Sequence, residues 1–137
     1  MSLSMPSRRK LPETLLLQRR KVLQGLVGEA IEGIYQERIE EQVDLLYHYF
    51  SLAENWPKAV RYGRQAAEKD IRLSQFHEAI TMLEKVQACL LQLPEDQSRQ
   101  EVLIDVLLEQ ERLYETLGQR ERQQAIINQI LDRKSVV

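Results

Sequence analysis

Apolar side chains recur every three to four residues from Leu15 to Leu131, the spacing of one face of an α-helix. The pattern predicts six helices separated by short breaks. The first, over 13–35, carries Leu16, Leu23, Leu26, Val27, Ala30, Ile31 and Ile34 as its apolar stripe. Pro12 stands at its start, where a missing N–H costs nothing. Gly25, Gly28 and Gly33 lie inside this helix. Each costs about 1 kcal/mol against alanine in a helix interior, so they indicate either a close helix approach or a weak helix.

The second helix, over 37–53, aligns Ile39, Val43, Leu46 and Phe50. The third, over 56–73, opens with Asn55 as N-cap and Pro57 in its first turn. Its face of Ala59, Val60, Gly63, Ala66, Ala67 and Ile71 is mostly small, so a neighbouring helix can come close. The fourth, over 75–93, aligns Phe76, Ala79, Ile80, Leu83, Val86 and Leu90 and is stopped by Pro94. The fifth, over 97–117, aligns Val102, Leu103, Val106, Leu107, Leu113 and Tyr114, with Gly118 as the left-handed residue past its end. The sixth, over 120–133, carries Ile126, Ile127, Ile130 and Leu131. Residues 134–137 read as a frayed tail and residues 1–12 as a flexible N-terminus. Met1–Ser4, placed before a second methionine at Met5, reads as an expression remnant. The folded unit is therefore expected over 13–133.

Loops this short make successive helices antiparallel neighbours. The expected fold is all-α, with three αα-hairpins. Internal repetition favours an open stack over a closed bundle. Trp56-x-x-Ala59 recurs as Phe76-x-x-Ala79 twenty residues later. An aromatic that opens a helix, with a small residue one turn on, lets two helices cross closely beside a bulky anchor. Tyr114-x-x-x-Gly118 places an aromatic in a last turn with glycine at the stop. The anchors expected to pack are Trp56, Ala59, Phe76, Ala79 and Tyr114.

These residues resemble a tetratricopeptide repeat (TPR). The stretch from Tyr47-x-x-Phe50 to Glu54-Asn55-Trp56-Pro57-Lys58-Ala59 is similar to the turn of that repeat. The family pattern closes one helix with a small residue and an aromatic, then opens the next with Gly-Asp-aromatic-x-x-Ala. Here Tyr47 stands for the small residue and Glu54 for the glycine, and the helix spacing is nearer 20 than the family's roughly 17. A closer resemblance is carried by Gln18-Arg-Arg-Lys-Val-Leu, Val27-Gly-Glu-Ala-Ile-Glu, Tyr35, Arg38-Ile-Glu-Glu-Gln-Val, Leu46-Tyr-His-Tyr-Phe and Asn55-Trp-Pro-Lys-Ala-Val-Arg-Tyr. Together these look like the TPR-like region that follows the ATPase module in multidomain bacterial signalling proteins. Those proteins carry adenylate/guanylate cyclase or LuxR-type regulatory domains. The resemblance covers about 14–93, and 94–137 fits a generic αα-repeat. It implies a scaffold for protein–protein or interdomain contacts within a larger signalling protein. It carries over no ATPase or cyclase residue.

Composition narrows the alternatives. The 137 residues are 43% hydrophobic and 29% charged, with 19 basic and 21 acidic side chains and a net charge of −2. That balance argues against a nucleic-acid partner, which draws on a basic excess. No stretch reaches the ~18 uninterrupted apolar residues of a membrane span, so no membrane partner is expected. Arg8, Arg9 and Lys10 are not followed by a signal-type apolar run. A single cysteine, Cys89, excludes an internal disulfide framework and fits a reducing, cytoplasmic setting.

Chemistry is sparse. No phosphate-binding loop is present, and Gly25-x-x-Gly28 falls inside a helix, so ATP binding is not expected. His48 and His77 lack a second His or Cys at metal spacing. Cys89 has no neighbouring base, and the pairs Glu40–Glu41 and Glu109/Glu111 read as exposed helical carboxylates. No catalytic, cofactor-binding or metal-binding residue is assigned, and no cofactor is expected.

Charge is blocky. Residues 1–27 hold six basic and one acidic side chain, 28–54 one and seven, and 58–72 five and two. Lys58, Arg61, Lys69 and Arg72 share one side of the third helix, opposite Trp56. They form either a ridge for an acidic partner or a face paired with the acidic second helix, and the second reading is the simpler. Asp70, on the small face of the same helix, is the one polar group that hints at a small-molecule effector. Uncovered apolar stripes on the first or sixth helix point to a possible homodimer.

Overall fold

The structure is a computed structural model that describes residues 12–135. The segment up to residue 11 and residues 136–137 of the tail lie outside the described residues. The described chain is all-α: α1 (Glu13–Ile34), a 3₁₀ turn (Ile39–Gln42), α2 (Val43–Leu52), α3 (Trp56–Arg72), α4 (Phe76–Leu90), α5 (Gln97–Leu117) and α6 (Arg120–Ser135). Each helix packs against its neighbours in sequence, forming an antiparallel stack.

Boundaries differ from expectation by more than one residue in three places. The second helix does not start at 37: Arg38 (φ −134°, ψ 39°) and Gln42 (φ −115°, ψ 11°) leave helical geometry, and a 3₁₀ turn fills the gap. α4 stops at Leu90 rather than 93. The residue before Pro94 is disfavoured in α geometry, and the chain tightens early, with Gln92 N–H donating to Cys89 and Leu93 N–H to Leu90. α6 runs on through Lys134 and Ser135, the first two residues of the expected tail.

Three helices end in the same way. Asn55 N–H donates to Phe50 C=O at 2.9 Å, Gln75 to Asp70 at 2.8 Å, and Gln119 to Tyr114 at 2.9 Å. In each, the preceding residue is left-handed: Glu54 (φ 59°), Ser74 (φ 59°) and Gly118 (φ 71°). This six-to-one bond, with a five-to-two bond inside it, is the Schellman closure of a helix C-terminus. Gly118 matches its expected role. Glu54 shows that the position a TPR gives to glycine keeps the left-handed geometry here with a glutamate.

The core runs through Val43, Leu46 and Phe50 of α2, Ala59, Ala66 and Ala67 of α3, Ala79, Leu83 and Val86 of α4, Leu103, Val106 and Leu107 of α5, and Ile126 and Ile130 of α6. The small face of α3 lets α2 and α4 close over it: a Cβ built on Gly63 would lie 2.5 Å from Val86 Cγ2 and 3.1 Å from Tyr47 Cδ1.

α1 is the end of the stack whose apolar stripe is left uncovered, one of the two places the sequence suggested. Its apolar stripe does not face the core. Leu16, Leu23, Leu26, Val27, Ala30 and Ile34 are exposed, and Ile31 alone of the stripe packs against the core. The inward face is instead the glycine face. Gly28 lies under the Phe50 ring, where a Cβ would meet Phe50 Cζ at 2.8 Å, and a Gly25 Cβ would lie 3.5 Å from Ala53 Cβ. Close approach therefore explains Gly28, whereas nothing lies within 4 Å of a Cβ on Gly33. The fully buried Phe50 ring needs a flat surface, and only the glycine side of α1 offers one. Lys21 then reaches Glu54 at 3.0 Å in the α2–α3 turn, and residues 12–20 are exposed throughout.

Candidate functional site

The side formed by α2 and α4 is concave over the C-terminal end of α3. Asp44 of α2, Asp70 of α3, and His77, Glu78, Thr81 and Lys85 of α4 line an open groove of about 400 Å³, floored by Met82. Asp70 is half-buried, and its carboxyl is held above its ordinary value by burial first and then by the charges of Asp44 and Glu78, against the pull of Lys69. Three carboxylates from three helices thus share one depression. A positive group entering it would relieve their mutual repulsion. His77, which has no metal-ligand spacing in the sequence, stands on the groove wall, and His48 sits edge-on to Tyr49 at 5.2 Å.

The basic residues of α3 are largely engaged within the fold. Lys58 Nζ donates to Glu32 Oε1 of α1 at 2.8 Å and lies 4.9 Å from the Phe50 ring centroid. Arg72 pairs with Glu40 of the 3₁₀ turn. Arg61 lies over the Tyr62 ring at 5.9 Å and stays exposed, and Lys69 and Arg72 occupy the last turn of α3, where the helix dipole favours cations. Tyr62 Oη also donates to Glu32, whose carboxyl burial alone would raise. The hydrogen bonds from Lys58 and Tyr62 and the charges of Lys58 and Arg61 outweigh burial and hold it below its ordinary value. The acidic partners come from α1 and the 3₁₀ turn rather than from the body of α2.

Of the five anchors, Ala59 and Ala79 are fully buried and Tyr114 is buried. Trp56 and Phe76 are half-buried at the rim of the core. Both are the first residue of their helix, and a helical side chain leans towards the N-terminus, here past the end of the packed layer. Asn55 caps α3, its Oδ1 accepting from Lys58 N–H at 3.3 Å.

Three polar residues of α5 were missed by sequence. Gln110 is buried and donates through Nε2 to Gln87 Oε1 at 3.1 Å, joining α5 to α4. Its register with Leu103, Val106 and Leu107 marked it as core-facing. Glu109, read as exposed, is half-buried against Arg64 of α3 at 3.4 Å, and burial pushes its carboxyl up despite that arginine. Glu111 is also half-buried and accepts from Gln123 Nε2 at 2.8 Å. α5 lies between α4 and α6, so more of its circumference is covered than a one-stripe reading allows.

Cys89 is buried, its Sγ 3.8 Å from Tyr47 Oη. Burial raises both groups, the Tyr47 phenol to about 12, which keeps this pair protonated at neutral pH. Among the described residues no three His, Cys, Asp or Glu side chains are grouped to hold a metal ion, and no helix is long and apolar enough to cross a membrane. No protein-family model, no curated protein and no solved structure matches the chain.

Proposed function

We propose that the chain is a non-catalytic, TPR-like helical scaffold that makes protein–protein or interdomain contacts as a piece of a multidomain bacterial signalling protein in the cytoplasm. The signalling context rests on the resemblance of residues 14–93. The observation that carries the scaffold reading is the acidic groove over the end of α3. Asp44, Asp70 and Glu78 stand on three separate helices whose buried faces fix their spacing. Such stacks offer a surface whose side chains can vary without disturbing the core. The groove is open along its length, which suits an extended basic segment of a partner or of a neighbouring domain.

The test is a ¹⁵N-resolved titration with two peptides of equal length, one rich in Lys and Arg and one rich in Asp and Glu. The basic peptide is expected to shift the amides of residues 44, 70 and 78 saturably, and less so in an Asp70→Asn variant. Shifts with neither peptide, or shifts spread evenly over the surface, overturn the groove as the contact site. A second reading, an effector sensor, is favoured by the half-buried Asp70 alone. It expects a small organic cation such as a polyamine to reproduce the peptide's shifts at the same residues.

A further inference from the structure

α1 is seated on the rest of the fold by a face that carries few apolar side chains. Lys21, Gln24, Gly25, Gly28, Ile31 and Glu32 recur at helical spacing and are the residues of this helix that are not exposed. Ile31 is the one large apolar side chain among them, and Gly28 is the one buried residue. α2, by contrast, inserts Val43, Leu46 and Phe50 with no exposed surface at all. Burial of apolar area is the main term that holds one helix on another, so α1 is held less firmly than the helices it leads into.

What does hold α1 is largely polar and sits at two points. Near its middle, Lys21 grips Glu54 at 3.0 Å. Near its C-terminal end, Glu32 accepts from Lys58 at 2.8 Å and from Tyr62 Oη. All four ion-pair partners are partly solvated, the setting in which such pairs contribute little. Between these latches the seat is the Phe50 ring laid on Gly28. Around the first latch the helix stands off from the α2–α3 turn. An open cleft of about 520 Å³ separates Gln18, Lys21 and Glu29 from Ala53, Glu54 and Asn55. No side chain caps the N-terminus of α1.

The joint is equally simple. Residues 35–38 connect α1 to the 3₁₀ turn, and Arg38 N–H donates to Tyr35 C=O at 2.8 Å inside the connection. Beyond it the chain is fixed: Ile39 packs against the core and Glu40 pairs with Arg72 of α3. We infer that α1 is a hinged strap, which lifts as one unit about residues 35–38 while α2–α6 stay folded, and which uncovers the Phe50 ring when it lifts. Phe50 is stacked on Tyr62 at 5.8 Å, so the lifted state presents an aromatic pair that the closed state hides. Lys58 and Tyr62 lose Glu32 at the same moment. Segments that open below global unfolding are those with few buried apolar contacts, and α1 is the helix of this stack that fits that description best.

Native-state hydrogen exchange of the full chain in low urea tests this. The amides of residues 21–34 are expected to exchange through one shared opening, at least about a hundredfold faster than those of α3 and α4. Their urea dependence is expected to be shallower, because lifting a strap exposes less surface than unfolding the stack. Two variants push the equilibrium in opposite directions. Gly28→Leu puts a side chain where the Phe50 ring lies and acts as a wedge. It is expected to speed α1 exchange at least about tenfold further while α3 and α4 amides stay protected. Gly25→Cys with Ala53→Cys acts as a lock. A Cβ at Gly25 lies 3.5 Å from Ala53 Cβ, within the span of a disulfide, and the native Cys89 is buried. Oxidised, this variant is expected to slow α1 exchange at least about tenfold, and reduction is expected to restore it. Three results overturn the proposal: α1 amides that share the rate and urea slope of α3 and α4, protection that falls off residue by residue towards the N-terminus as in a fraying end, or α1 exchange that neither wedge nor lock alters.

Discussion

Replacing Ser74 with glycine is expected to stabilise the domain. Ser74 is the left-handed residue that closes α3, at φ 59°, and its side chain is exposed. A residue with a Cβ is disfavoured there by about 1–2 kcal/mol, because the Cβ crowds the following carbonyl. Glycine removes that strain but gives the unfolded chain more freedom, which costs about 0.4–1 kcal/mol. The difference leaves a net gain of about 0.5–1 kcal/mol, or roughly 2–4 °C in the thermal midpoint for a chain of this size. Ser74→Ala retains the Cβ and is expected to gain nothing. Gly118→Ala reverses the sign, losing about 1 kcal/mol at φ 71° with no steric clash to confuse the result, since nothing lies within 4 Å of the added Cβ. Glu54→Gly relieves the same strain but also removes the partner of Lys21, an exposed pair contributing about 0–1 kcal/mol, so its gain is smaller. Urea unfolding followed by far-ultraviolet circular dichroism measures all four. A Ser74→Gly variant no more stable than the wild type would refute the account of the turn.

Gly63→Ala is expected to destabilise by about 1–2 kcal/mol in the same assay, because the crowding of Val86 and Tyr47 exceeds the helix-propensity gain, whereas Gly33→Ala, with open space around it, is expected to gain about 0.5–1 kcal/mol. Equal responses at the two glycines would show that α3 is not tightly clasped. Glu32→Gln is expected to lower stability at neutral pH. The Glu32 carboxyl is depressed on folding, so its contribution is complete above its unfolded value near 4.5 and is lost as the pH falls through the lower folded value. The wild type and Glu32→Gln should therefore converge in stability curves measured against pH as Glu32 becomes protonated in the folded state, and a gap that persists once it is protonated contradicts the ion-pair role.

Periodicity located every helix because each needs an apolar side, and Asn55, Pro57 and Gly118 marked ends by the backbone groups they satisfy or the φ they tolerate. It failed where two faces of one helix compete. α1 has an apolar stripe and a glycine face, and hydrophobicity alone selects the stripe. The structure selects the glycines because the Phe50 ring requires a flat neighbour, a demand set by a residue 22 positions away. The groove was only partly legible for the same reason. Asp70 stood out on its own helix, but its convergence with Asp44 and Glu78 depends on how α2 and α4 flank α3. Likewise, the basic side of α3 and its pairing with the acidic 37–53 segment were visible, and Arg72 with Glu40 realises it, while Glu32 of α1, the partner of Lys58, carries no local signature. Trp56 and Phe76 were recognisable as anchors, but their half-burial follows from their place at the first residue of a helix.

The closed turns after α2 and α3 have a consequence for change in this chain. Their geometry is held by backbone bonds from Asn55 to Phe50 and from Gln75 to Asp70, which form with glycine or, at a modest cost, with a residue that carries a Cβ. A glutamate, a serine and a glycine all occupy the same left-handed position. Mutation can therefore erase the glycine signature while the angle at which one hairpin follows another stays fixed. The turn angle is set by main-chain hydrogen bonds, so a hairpin of this kind can tolerate wide change in sequence while keeping its place in the stack.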